Sequence, residues 1–205
     1  MLKTQQKIDI VGPVGTLETI VIPAKQDTVR GIAVIAHPNP LQGGTNTNKV
    51  VQTCARALSE LGYTCFCPNL RGVGHSDGEH DHGRGEVEDM LAVVAYAQQH
   101  YPALPLVLAG FSFGGFVASH VRLRIEAERL ILLGPAVSRY EMQVATVPEN
   151  TLIIHGEEDE VIPLADILDW ARPQNLPVVV FPGAGHFFHG KLIQLAALIR
   201  RNFGG

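Results

Sequence analysis

Three cysteines, Cys54, Cys65 and Cys67, are too few and too irregularly spaced for a disulfide framework in a chain of 205 residues. Cys65 and Cys67 stand two apart in a strand-like segment and so face one side, as small buried apolar residues do. A structural metal site would need more ligands at finger-like spacing. Reduced thiols suit a cytoplasmic protein, which is the expected compartment. Long apolar runs are missing too. The apolar stretch 90–97 falls well short of the ~18 residues of a membrane span and reads as a buried helix face. No apolar segment follows the charges of the first seven residues, so no signal peptide is expected. Clustered positive charge is also lacking. The formal charge is −4, and the nearest approach to a cluster is Arg122, Arg124 and Arg129. Those read as a solvated helix end and the loop after it. Neither nucleic acid nor membrane is an expected partner.

What is present is a globular composition, 46% hydrophobic and 18% charged, in a length that suits one domain spanning residues 1–205. Residues 8–11 and 17–22 read as short strands around the turn Gly12-Pro13-Val14-Gly15, a hairpin. The exposed edge of that hairpin is the one hint of a homodimer, since a second copy could pair there. Residues 31–36 form an unbroken apolar run, the mark of a strand buried on both faces. Helical spacing follows over 45–61 and stops at Gly62. The alternation continues: strand 63–67, helix 86–99, strand 105–109, helix 114–124, strands 129–133 and 151–155, helix 163–171, strand 177–181 and helix 190–203. Such alternation predicts an α/β fold with a mostly parallel sheet, helices on both faces and an antiparallel N-terminal edge. Ligands in such sheets bind at the carboxyl ends of the strands, so the loops leaving the strands are the places to search.

The strand at 105–109 runs into Gly110-Phe111-Ser112-Phe113-Gly114-Gly115. A G-x-S-x-G turn between a strand and a helix is so tight that small residues are needed two before and two after the serine. The serine is left at a helix N-terminus, where partial positive charge favours a developing oxyanion. Its hydroxyl needs a histidine to take its proton and a carboxylate to orient that histidine. In this kind of fold the chain order is Ser, acid, His. Of nine histidines, only His120, His155, His186 and His189 follow Ser112. His120 lies inside the following helix, and His155 at a strand end before an acidic loop. His186, in the glycine-rich loop after the last strand, is preferred to His189, which already enters the closing helix. The acid is expected from Gly156-Glu157-Glu158-Asp159-Glu160, where four consecutive carboxylates leave the choice open.

A tetrahedral intermediate also needs two main-chain N–H donors. Phe113, after the nucleophile, is one candidate. The other should lie in His37-Pro38-Asn39-Pro40-Leu41. Pro38 and Pro40 have no N–H, so Asn39 between them is the natural donor. His37 precedes the serine, the wrong order for a triad, and reads as structural.

Taken together, the segments 37–45, 69–78, 110–115, 155–163 and 183–190 resemble those of small bacterial α/β-hydrolases without a cap, related to dienelactone-hydrolase-like and serine-aminopeptidase-like enzymes. The resemblance covers nearly all the strand-end loops. It implies Ser112, Asp159 and His186 as the catalytic triad, with main-chain groups of Asn39 and Phe113 as the oxyanion hole. Relatives often carry a second histidine where this chain has Asn39. Only the side chain differs, so a main-chain donor role survives.

Two other clusters point elsewhere only weakly. Residues 77–86 hold many possible metal ligands, but their dense, irregular spacing suits a polar loop. Gly72-Val73-Gly74 lacks the third glycine of a dinucleotide fingerprint. No metal and no cofactor are expected. The expected function is hydrolysis of small acyl substrates, carboxylic esters first, through an acyl-serine. Thioesterase and peptidase or amidase activity are same-class alternatives. A catalytically silent binding protein on a hydrolase scaffold is the alternative of another class. Between the strands at 129–133 and 151–155 lie only 17 residues, too few for a helical lid. An open, shallow site should therefore favour acetyl and butyryl esters over long-chain esters. A strong preference for long chains in an acyl-length series would contradict this.

Overall fold

The computed structural model describes residues 4–138 and 144–203. The chain opens with β1 (Gln6–Gly12) and β2 (Gly15–Ile22), paired antiparallel. Six strands follow: β3 (Gly31–Ala36), β4 (Tyr63–Pro68), β5 (Leu106–Phe111), β6 (Arg129–Leu133), β7 (Leu152–Gly156) and β8 (Val178–Phe181). Between and after them come α1 (Lys49–Glu60), α2 (Arg84–His100), α3 (Phe113–Arg122), α4 (Leu164–Ala171) and α5 (Leu192–Phe203). The sheet order is β1-β2-β4-β3-β5-β6-β7-β8, and the six later strands run parallel. The expected mostly parallel sheet with an antiparallel edge is what forms.

Period-two alternation sorts the core into two layers. From β3, Ile32, Val34 and Ala36 pack with α2, α3 and α4 residues such as Met90, Val117 and Ile167. Ala33 and Ile35 face the other way, with α1 and α5 residues such as Val51, Leu58 and Leu195. β5 divides likewise, Leu108 to the first layer and Val107 to the second. The three cysteines are buried free thiols in the second layer.

Several boundaries differ from the pattern by a few residues, and two of them, the start of α1 and the end of β5, have a plain local reason. α1 begins at Lys49 rather than at residue 45. Asn48 caps it, its side chain accepting from the Val50 and Val51 N–H groups, while Thr45 closes a turn onto Asn48 N–H. A short 3-10 turn, Pro40–Gln42, capped by Asn39, precedes it. β5 runs on through Gly110 and Phe111, because those residues still pair with Ala36, Leu132 and Leu133.

The chain between β6 and β7 does not build a lid where it is described. Residues 139–143, part of that stretch, lie outside the described residues. The Val144 carbonyl accepts from Trp170 Nε1, Ala145 N–H donates to Ser119, and Val147 N–H donates to Gln174. These bonds draw residues 144–147 against α3, α4 and the turn after α4.

β3 has β4 on one side and β5 on the other, which makes the ends of β3 and β5 the switch point of the sheet. His37, just past β3, ties the loops there. Leu70 N–H donates to its Nε2 at 3.0 Å, so the ring proton is on Nδ1, which donates to the Pro38 carbonyl at 2.7 Å. Burial pushes this imidazole down from 6.5 to about 4, against the Pro38 hydrogen bond. The sign of the linkage is set by that lowering. Between those pH values the unfolded chain binds a proton that the folded chain does not. The stability is therefore complete above the unfolded pKa and is lost as pH falls toward the folded one. Urea unfolding at about pH 7.5 and about pH 4.5 should show a loss about 2 kcal/mol larger in the wild type than in His37→Asn. An equal loss in both proteins would show that His37 does not carry this term.

Candidate active site

The turn after β5 places Ser112 at the sheet's carboxyl edge. Its backbone stands at φ 55° and ψ −116°, outside the regions favoured by L-residues. Neighbouring strands and glycines hold it there. Ser112 N–H donates to Leu133 O, and its carbonyl accepts from the Gly115, Phe116 and Ala136 N–H groups. A Cβ on Gly110 would lie 2.0 Å from Gly114 O, and one on Gly114 would lie 2.3 Å from Ala36 O. Only hydrogen fits at either position.

His186 arrives from the loop after β8. Its Nε2 is 3.0 Å from Ser112 Oγ, and its Nδ1 is 2.7 Å from Asp159 Oδ2. Since a carboxylate only accepts, Nδ1 carries the ring proton and Nε2 offers a lone pair to the serine hydroxyl. The ring sits beside Phe111, with centroids 5.0 Å apart, and Phe187 meets it edge-on at 5.2 Å. Gly134, past β6, passes beneath the pair. A Cβ there would lie 3.5 Å from the His186 ring and 3.6 Å from Asp159 Oδ2.

The four-carboxylate loop separates by burial. Asp159 is buried, and Glu157, Glu158 and Glu160 are exposed. Asp159 Oδ1 accepts from the Val161 and Ile162 N–H groups, which aims Oδ2 at His186. Burial alone would raise its pKa. Hydrogen bonds from His186 and the Ile162 N–H outweigh that and hold it below the ordinary value. Glu157 accepts from Gly183 N–H and so ties the acid loop to the histidine loop.

His155, read from the sequence only as a strand-end residue, is a neighbour of the acid. Its Nε2 donates to the Ile162 carbonyl at 2.8 Å and lies 3.4 Å from Asp159 Oδ2. Burial pushes its pKa down, so it is neutral at ordinary pH. The four-residue spacing from His155 to Asp159 was the available signal, since a tight turn over that spacing brings the two side chains together. His189 is exposed, and His120 packs against Phe116 on α3. Neither is brought to Ser112.

A cavity of about 410 Å³ opens beside the serine, lined by Ser112, His186, Asn39, Asn48, Val161 and Phe187 among others. Asn39 therefore stands at the same cavity as the serine. Its carbonyl accepts from the Gln42 and Gly44 N–H groups, and its own N–H makes no hydrogen bond among the described residues. The loop returns so closely that a Cβ on Gly44 would lie 2.0 Å from Pro38 O. Phe113 opens α3 directly after Ser112, its ring buried against Phe116 and His80. The ligand-rich segment 77–86 bonds largely to itself. Glu86 accepts from the Asp81 and Gly83 N–H groups and lies 2.7 Å from His80 Nδ1, while Asp81 accepts from Gly85 N–H. Among the described residues no group of three or more His, Cys, Asp or Glu is placed to hold a metal ion. No helix there is long and apolar enough to cross a membrane.

Comparison with known proteins agrees with this architecture. Residues 41–135 match the family described as alpha/beta hydrolase fold. A crystal structure of a serine hydrolase without a lid from Xanthomonas campestris is 35% identical, with 98% of this chain and 94% of that one covered and a TM-score of 0.91. A serine hydrolase homologue from Coxiella burnetii is 40% identical, with 98% and 99% covered and a TM-score of 0.89. A monoacylglycerol lipase of Mycolicibacterium smegmatis is 30% identical over 55% of this chain and 40% of its own length. The chain belongs to the α/β-hydrolase family, alongside bacterial serine hydrolases without a lid.

Proposed function

We propose that the protein is a carboxylesterase-like serine hydrolase of small acyl substrates, with Ser112 as nucleophile, His186 as general base and acid, and Asp159 as the orienting carboxylate. The observation that carries this reading is the unbroken chain from Ser112 Oγ to His186 at 3.0 Å and from His186 to Asp159 at 2.7 Å. As Oγ attacks the acyl carbon, its proton passes to His186 Nε2, and Asp159 stabilises the imidazolium that forms. The oxyanion would be met by the main-chain N–H groups of Asn39 and Phe113. Collapse of the intermediate expels the alcohol, which takes the proton from Nε2. Water then attacks the acyl-serine by the same route in reverse, releasing the acid and restoring the serine.

Esters are preferred to amides because an alcohol demands less of the protonated histidine than an amine does. The lipase relative supports ester chemistry in name, over the part of its length that is shared. A fluorophosphonate probe should label Ser112 in the folded protein, and His186→Ala should abolish the labelling. Ser112→Ala should lower kcat on short-chain nitrophenyl esters by at least about a thousandfold. Labelling that persists undiminished in His186→Ala, or wild-type turnover in Ser112→Ala, would refute the assignment.

A further inference from the structure

Two side-chain amides, Asn39 and Asn48, are among the residues lining the cavity beside Ser112. A side-chain amide has one accepting end and one donating end. Asn39 Oδ1 accepts from Leu41 N–H at 2.9 Å, and Asn48 Oδ1 accepts from Val50 N–H at 2.9 Å and Val51 N–H at 3.4 Å. Both oxygens are thus committed to capping, one on the 3-10 turn and one on α1. Neither Nδ2 group makes a hydrogen bond among the described residues. Both residues line the cavity, so the remaining polar branch of each is a pair of N–H donors. Flipping either amide would lose its cap, which fixes the donor direction.

Charge and position narrow what those donors meet. No carboxylate, lysine or arginine belongs to the cavity lining, whose members besides the asparagines include Gln42, Gly43 and Gly44. An anion entering there would lose water without a countercharge, whereas an uncharged oxygen would not carry that cost. Phe187 meets the ring of His186, which returns the proton to the leaving group. A leaving group beside His186 and Phe187 leaves Asn39 and Asn48 to the acyl portion. We infer that this site selects acyl groups carrying an uncharged hydrogen-bond acceptor oxygen, an ether, hydroxyl or second carbonyl, bound by the Asn39 and Asn48 amides. The inference rests on the esterase reading above.

The test uses Asn48, because the main chain of Asn39 is assigned to the oxyanion. Asn48→Asp keeps an oxygen that can cap α1 and removes the donor, and Asn48→Ser keeps a capping oxygen but replaces the amide N–H groups with a hydroxyl one atom closer to the main chain. The substrates are the nitrophenyl esters of methoxypropanoic and pentanoic acids, which differ by one oxygen in place of one methylene. Intrinsic reactivity cancels when the ratio of their kcat/KM values is compared between proteins. That ratio should fall about threefold to tenfold in both variants, the worth of one neutral hydrogen bond. Thermal unfolding of each variant checks that the cap survives. An unchanged ratio in both variants, with Ser112 still labelled by the phosphonate probe, overturns this inference and leaves the esterase reading standing. Wild-type protein that neither turns over the esters nor labels overturns both. A hemisuccinate ester preferred to both substrates, with the preference lost in Asn48→Asp, would make the ligand an anion and overturn the uncharged class.

Discussion

Ser112 is held at φ 55° and ψ −116°, and the rest of the site depends on that backbone. Positive φ in a residue with a side chain costs of order 1–3 kcal/mol, so it persists only where the surroundings over-determine it. Here they do so from three sides. Leu133 O fixes the Ser112 N–H, three amides share its carbonyl, and Gly110 and Gly114 admit approaches that no Cβ would allow. The contact of Gly114 with Ala36 O does more than relieve crowding. It seats the Ser112 turn after β5 against the end of β3, where the Pro38–Asn39 loop begins. One close approach of backbone to backbone thus brings the serine and the Asn39 loop to one cavity.

The histidines show how one side chain takes different roles by environment. His37 and His155 are wholly buried, and burial lowers the pKa of each. Each is a neutral strut, donating one N–H to a main-chain carbonyl. His186 is nearly as buried but faces a carboxylate on one nitrogen and a hydroxyl on the other. That pairing makes it the ring equipped to accept a proton and be stabilised after accepting it. Asp159 is equipped in turn by two amides on the oxygen that His186 does not use. The loop that carries Asp159 is therefore ordered by its own main chain and by His186.

Much of this was legible in the sequence because periodicity reports burial directly. β3 and β6 begin and end where the pattern places them, and Ser112, Asp159 and His186 come together at the strand ends. The misreadings cluster where a polar side chain satisfies main-chain groups locally. Apolar spacing extended α1 back to residue 45, but Asn48 competes for the N–H groups of the first turn and starts the helix later. The acid could not be chosen from pattern, because Glu157, Glu158, Asp159 and Glu160 have the same charge and adjacent positions. What separates them is which one the turn buries, and that depends on the main chain of Val161 and Ile162 and on a histidine 27 residues away.

An open cavity places a limit on how selectivity can arise. A lid excludes water and lets apolar area discriminate among long chains. Here the described residues after β6 turn back onto α3 and α4 instead of covering the serine. Apolar contact on an exposed wall returns less, because part of each bound group stays in water. Directed hydrogen bonds lose less in such a setting, provided the donors are oriented before binding. Asn39 and Asn48 meet that condition, since capping fixes their oxygens and leaves their N–H groups without a partner among the described residues. The same two residues that end the irregular loop and begin α1 thus give a lidless site a means of discrimination that does not require enclosure.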